Sequence, residues 1–124
     1  LEGIGRFASF PPLRYSPPEV FVPRALGPGW RLLPDTTGDK PPHCLATDDR
    51  HERYACWGKP AQFKDLLWAA LNDGLGRDTK PLIIVSLRAD ADIGPGERRR
   101  HIALATRCDL DIAHIVRNLT TTGR

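Results

Sequence analysis

Two stretches of the chain carry a clear hydrophobic pattern, and they predict one helix and one strand. In residues 59–74, apolar side chains recur at i, i+3, i+4, i+7 and i+8, which is the spacing of one helix face. Pro60 suits the first turn of this helix, and Gly74 marks its end. Residues 81–87 form a nearly continuous apolar run rich in β-branched side chains, which is typical of a strand covered on both faces.

Weaker patterns in the first half of the chain predict edge strands and a hairpin. Residues 20–22, which are apolar, and residues 31–33, which contain two leucines, flank a turn signal, so we expect short strands there. Residues 43–47 and 54–57 flank a charged run and predict two strands joined by a solvated loop.

Proline dominates the beginning of the chain. Residues 1–42 contain nine of the twelve prolines. Because proline fixes φ and lacks an amide donor, we expect no long helix or central strand in this part. We predict an extended segment at 1–42 that wraps around a compact core at 43–124.

Residues 97–119 keep apolar side chains at a spacing of three or four. This pattern fits one long helix or two helices broken near residues 107–109. We favour two helices, with Asp109 capping the second, because Asp109 and Asp111 are unfavourable inside a helix. Together with the predicted strand at 81–87, these helices indicate a small α/β or α+β domain, in which two or three helices pack on a mixed sheet.

Composition narrows the class of protein. The chain has 124 residues, is 40% hydrophobic and 27% charged, and contains no apolar run long enough to cross a bilayer, so we expect no membrane partner. Because it begins with Leu1 and contains no methionine, we expect it to be a piece of a longer protein. Three cysteines are an odd number, which favours a reducing, intracellular compartment, whereas export would allow a Cys44–Cys56 bridge.

The loop at residues 89–96 is the first candidate site. It follows the predicted strand, at the edge where open α/β sheets bind ligands. Asp90 and Asp92 could share a divalent cation, and Gly94 and Gly96 would let a phosphate approach the start of the next helix. The alternative is a simple turn, because Asp, Gly and Pro favour turns by themselves.

Arg98, Arg99 and Arg100 form the second candidate site. Guanidinium groups bind phosphate through paired hydrogen bonds, so the backbone of RNA or DNA is a natural partner. The net charge of +3 permits this partner without requiring it, and the alternative is a solvated helix face. Residues 99–119 also resemble a helix-turn-helix motif, although its second helix would offer nucleic acid only His114 and Arg117.

Histidines supply the third candidate site. A metal-independent ribonuclease needs a proton acceptor, a proton donor and a nearby cation. His51 in a polar loop and His101 beside the arginines are the best catalytic candidates. His43, Cys44, His51 and Cys56 lie close in sequence but lack the paired spacing of a zinc site, so we do not expect zinc.

These features support three hypotheses about function. The first is a nucleic-acid-binding domain, with RNA as its expected partner, from a larger chain such as a toxin or viral polyprotein. This domain could also cleave RNA as a metal-independent ribonuclease. The second is a non-enzymatic module that contacts a protein partner through Trp30, Trp57 or Trp68. The third is a phosphate, nucleotide or metal site at Asp90 and Asp92, with a pocket at the sheet edge. The arginine run favours the first hypothesis over the second by a small margin.

Overall fold

The computed structural model describes residues 16–117, which form a mixed sheet of six strands and three α-helices. This α+β architecture confirms the predicted fold class. The elements in chain order are α1 (Pro18–Leu26), β1 (Arg31–Leu32), β2 (Gly38–Asp39), β3 (Pro42–Thr47), β4 (Glu52–Gly58), a 3₁₀ turn (Pro60–Gln62), α2 (Phe63–Gly74), β5 (Leu82–Leu87), a second 3₁₀ turn (Asp90–Asp92), α3 (Pro95–Arg107) and β6 (Asp111–Val116). None of these helices is both long and apolar enough to cross a membrane.

The sheet has an antiparallel half and a parallel half. Its strand order is β1-β3-β4-β5-β6, with β2 also paired to β3. Strands β3 and β4 form the predicted antiparallel hairpin, whereas β4, β5 and β6 run parallel. Since the parallel order advances in one direction, crossovers of one hand place α2 and α3 on the same face of the sheet, and the core contacts show both helices there.

Each face of the sheet has its own core. On one face, α2 and α3 cover side chains of β4 and β5, including Ile83, Val85 and Leu87. On the other face, Phe21 and Val22 of α1 pack with Leu82, Ile84 and Trp57. Strand β5 is therefore buried on both sides, as its apolar run predicts.

The strand predicted at residues 20–22 is wrong, because these residues lie in α1. Pro17 and Pro18 stand at the start of this helix, where a missing amide costs no hydrogen bond. Phe21 and Val22 of this helix are fully buried against the sheet. Gly27 ends the helix with a φ of 113°, which glycine adopts readily. The rest of the proline-rich prediction, at residues 1–15, lies outside the described residues.

The second helix predicted within residues 97–119 is also wrong, and so is the helix-turn-helix. Helix α3 ends at Arg107, and Asp109 reverses the chain with a φ of 58° instead of capping a helix. Strand β6 begins two residues later, at Asp111, and pairs with β5 along its whole length. Ile112, Ile115 and Val116 are β-branched and fit a pleated surface, so strand pairing overrides a spacing that would also suit a helix.

Candidate functional site

A basic residue follows each of the three parallel strands. Lys59 comes directly after β4, Arg88 after β5 and Arg117 after β6. All three line one cleft of about 710 Å³, which we call the basic cleft. It lies at the carboxyl edge of the parallel strands, where open sheets bind ligands. Of the two aspartates in the third hypothesis, Asp92 lines this cleft and Asp90 does not.

Arg117 is held in place by contacts of its guanidinium group with one aromatic ring and two oxygen atoms. The group lies 4.2 Å from the centre of the Phe21 ring, a cation–π contact. Its Nη1 donates to Ser86 Oγ at 3.3 Å, and its Nη2 donates to the carbonyl of Ser16 at 3.1 Å. The charge is thus fixed at the end of β6, so little side-chain entropy remains to be lost on ligand binding.

A hydrogen bond between the backbone of Lys59 and a nearby side chain fixes the chain at this end of the basic cleft. The amide of Lys59 donates to Gln62 Oε1 at 2.9 Å. Gly58 makes room for this contact, because a Cβ at that position would lie 2.9 Å from the same oxygen. Gln62 also lines the basic cleft, and its Nε2 retains two donors for a ligand.

Asp92 and Glu97 are the carboxylates of the basic cleft. Asp92 Oδ2 accepts the amides of Arg88 at 2.7 Å and Ala89 at 3.4 Å, which fixes the turn after β5. Asp90, by contrast, has a side chain that is 90% exposed and lies 3.9 Å from Arg98. The two aspartates proposed as metal ligands thus engage different partners. Within residues 16–117, no three His, Cys, Asp or Glu side chains converge on a common point.

Two neighbouring histidines lie behind Glu97, and neither lines the basic cleft. His101 is only 3% exposed, and its Nε2 lies 3.6 Å from Glu97 Oε2. Its Nδ1 lies 3.2 Å from His114 Nε2, and its ring stacks on Phe63 at 4.0 Å. Burial lowers the pKa of His101, and it lowers the pKa of His114 to about 4 with help from nearby Arg98. Both rings are therefore neutral at pH 7, and His101 reaches the cleft only through Glu97.

The structure does not bring His51 and His101 together. His51 lies in the β3–β4 loop, where its Nδ1 is 3.3 Å from Asp48 Oδ2. The full length of β4 separates it from the basic cleft, which is roughly 20 Å at about 3.3 Å per residue. Backbone amides of Arg50 and His51 lower the pKa of Asp48 to about 2. The β3–β4 loop is therefore a charged region that is separate from the basic cleft.

The arginine run lies beside the basic cleft and does not line it. Arg98 is half-buried and faces Asp90. Arg99 and Arg100 are exposed, and neither forms an ion pair with another residue in the range 16–117. Gly94 immediately precedes α3 and Gly96 lies in its first turn; both are exposed and neither lines the basic cleft.

The cysteines and tryptophans have mostly structural positions. Cys44 and Cys56 are buried free thiols in adjacent strands, but they point to opposite faces of the sheet, so no bridge can form between them. Burial raises the pKa of Cys44 to about 11 and that of Cys56 to about 12, so neither provides a thiolate nucleophile at pH 7. Trp57 is 5% exposed and Trp30 is half-buried, whereas Trp68 is 71% exposed.

Sequence reasoning did not place Lys59, Arg88, Glu97 or Arg117 in a common site, and it considered Arg117 only as a nucleic-acid contact of a helix-turn-helix. A signal for three of them was present, because a basic residue follows each parallel strand, but reading it required all three strands to be assigned. Comparisons of the chain with protein-family models, with curated proteins and with solved structures find no match.

Proposed function

We propose that this protein binds a small phosphate-bearing ligand of nucleotide size in the basic cleft. The observation that carries this proposal is the cation directly after each of the three parallel strands. The cleft volume of about 710 Å³ suits a small-molecule site of this class.

The groups around the basic cleft suit the two halves of such a ligand. Arg88 and Arg117 present guanidinium groups, which match phosphate oxygens in pairs, and Lys59 adds a point charge. Trp57 and Pro42 give an apolar wall for the part of the ligand that is not phosphate. Asp92 and Glu97 are acceptors of the kind that bind sugar hydroxyls.

Lys59 and Lys64 offer a matched pair for the test. Both are exposed lysines near the start of α2, but only Lys59 lines the basic cleft. Calorimetry with inorganic phosphate, AMP and ATP should show binding to the wild type. Lys59→Gln should weaken that binding about tenfold, because a charge-assisted hydrogen bond is lost, whereas Lys64→Gln should leave it unchanged. The proposal fails if none of the three compounds binds at millimolar concentration, or if both substitutions weaken binding equally.

A second candidate function is RNA binding through α3. It is favoured by the exposure of Arg99 and Arg100 and by the lack of any ion pair between them and the rest of residues 16–117. Phosphate contacts of this kind release counterions, so affinity should fall steeply with salt. Ribonuclease activity stays a prediction, and the different partners of His51 and His101 give no support to these two histidines as a catalytic pair.

The RNA candidate is tested with two double variants of equal charge. Arg99→Gln/Arg100→Gln removes the exposed pair, and Arg24→Gln/Arg50→Gln removes two exposed arginines that lie outside α3. Fluorescence anisotropy with a labelled single-stranded RNA, at two salt concentrations, should show a weaker salt dependence for the first variant by about two phosphate contacts. Equal losses in both variants would indicate attraction to net charge alone and would remove this candidate.

A further inference from the structure

A second groove of about 620 Å³ lies next to the basic cleft. The two share Pro42, Trp57 and Gln62 as a common wall. One side of the second groove is α2, and the other is formed by β2 and the start of β3. Its charged residues are Asp39, Lys40, Asp65 and Asp73, so we call it the acidic groove.

One face of α2 supplies the wall that carries the exposed aromatic side chain. Asp65, Trp68, Asn72 and Asp73 are spaced by three, four and one residues, which places them along one side of the helix above the groove. Trp68 is 71% exposed, so most of its indole meets solvent. A large exposed aromatic group at a groove is a common sign of a contact surface.

The floor of the acidic groove is preformed. The His43 ring stacks on Tyr54 with ring centres 5.4 Å apart, and its Nδ1 donates to the carbonyl of Pro41 at 2.7 Å. Gly38 packs directly on this ring, since a Cβ at that position would lie 2.8 Å from His43 Nε2. A rigid floor reduces the entropy lost when a ligand binds.

The charges of the acidic groove favour a cationic ligand. Asp39 stands on the strand side, and Asp65 and Asp73 stand on the helix side. Asp73 also pairs with Arg77, four residues further along. Of the three carboxylates that line the groove, Asp39 and Asp65 therefore have no ion pair with another residue in the range 16–117. Lys40 is the one cation among the described residues that line the groove.

We propose that the acidic groove binds an arginine side chain presented by a basic segment of a protein partner. A guanidinium group is flat, so it stacks on the Trp68 indole while its edge donates to a carboxylate such as Asp65. An ammonium group lacks this combination of stacking and paired donation. The chain has a net charge of +3, so long-range attraction does not draw a basic partner to it and recognition must come from the groove.

The test uses three labelled peptides that differ only in the type of their two non-glycine side chains. A Gly-Arg-Gly-Arg-Gly peptide is compared with its lysine and its citrulline counterparts by fluorescence anisotropy. We expect the arginine peptide to bind, the lysine peptide to bind several-fold more weakly, and the uncharged citrulline peptide to show no binding. Equal binding of the arginine and citrulline peptides would overturn the proposal.

Matched variants locate the binding. Trp68→Ala and Asp65→Asn should each weaken binding of the arginine peptide at least fivefold, whereas Leu75→Ala and Asp78→Asn, at exposed positions beyond the groove, should not. The altered groups are on the surface, so circular dichroism should confirm that each variant folds. Lys59→Gln should leave peptide binding intact, which separates this proposal from that of the basic cleft. If Trp68→Ala has no effect, or if Asp78→Asn weakens binding as much as Asp65→Asn, the groove is not the site.

Discussion

The basic cleft and the acidic groove share a wall, yet they are built in different ways. Lys59, Arg88 and Arg117 of the basic cleft lie 29 residues apart in each case and meet only because three parallel strands end at one edge. The acidic groove takes most of its helix side from one short stretch, residues 65–73, and its other side from residues 39–43. One site therefore depends on long-range strand pairing and the other on local helix geometry.

Because the two sites are built differently, we expect them to bind ligands of different charge and shape. Cations at strand ends are fixed by the sheet, and they suit an anion that enters from the edge. The side chains of α2 project sideways from a helix face beside an exposed indole, and they suit a flat cation. Substitutions at the common wall should affect both sites, whereas substitutions outside it should affect one.

The largest effect is expected at Trp57 in the common wall. Trp57 is 5% exposed and packs edge-on against Phe21 at 5.2 Å, so Trp57→Ala leaves a cavity beneath both sites. We expect it to lower the free energy of unfolding by about 3–5 kcal/mol in urea denaturation. The matched control is Trp68→Ala, for which we expect a change within about 0.5 kcal/mol because that indole is already exposed. Similar losses for both variants would contradict the assigned burial.

Gly38→Ala should separate the two sites. The added Cβ would displace the His43 ring from Tyr54 and from the Pro41 carbonyl, at a cost of about 1–3 kcal/mol for an overpacked contact. Binding of the arginine peptide should fall, while phosphate binding in the basic cleft should persist. Gly76→Ala is the control, because a Cβ there meets nothing within 4 Å. Unchanged peptide binding in Gly38→Ala would show that the floor of the acidic groove is not needed.

Acid should weaken the fold through the histidines behind the basic cleft. The folded pKa of His114 is about 4, below its ordinary value of 6.5. The unfolded chain therefore binds a proton that the folded chain does not, and stability falls as the pH drops from 6.5 towards 4. We expect a loss of about 1 kcal/mol, because solvent screens the half-buried His114.

The measurement is urea denaturation between pH 7 and pH 4. His114→Gln should give a flatter profile across this window, whereas His51→Gln, at the exposed loop, should keep the wild-type slope. The pKa of Asp48 is lowered to about 2, so its contribution is lost only below its ordinary value of 3.8 and does not enter the window. An unchanged slope in His114→Gln would show that the histidine pair does not sense pH.

The sequence predicts those parts of the fold in which local pattern and tertiary contacts agree. The apolar stripe of α2 predicts a helix and the β-branched run of β5 predicts a strand, and both predictions are confirmed. The spacing of Ile112 and Ile115 fits either a helix or a strand, and only pairing with β5 selects the strand. Likewise, prolines argue against a helix interior but favour a helix start, so α1 could not be separated from an edge strand at Phe21.

The candidate sites follow the same division. The carboxyl edge after β5 could be predicted from the position of that strand alone, whereas Arg117 required β6 to be known as a strand. The exposed Trp68 could be seen just off the apolar stripe of α2, but the carboxylate on the opposite side of the groove, Asp39 on β2, comes from a different part of the chain. The register of strand pairing decides which residues of different strands lie side by side. A single sequence does not reveal that register.

The smallest effect is expected at Asp92, and it tests the role of the loop after β5. Asp92 accepts the amides of Arg88 and Ala89 and so orients the cation at the end of that strand. Asp92→Ala should therefore cost about 1 kcal/mol in urea denaturation, and Asp92→Asn less, because its amide oxygen can still accept. Asp90→Ala is the control, since among the described residues this exposed side chain has only its 3.9 Å contact with Arg98 to lose. The metal hypothesis predicts the opposite pattern: magnesium would raise the melting temperature of the wild type, and both Asp90→Ala and Asp92→Ala would abolish that rise.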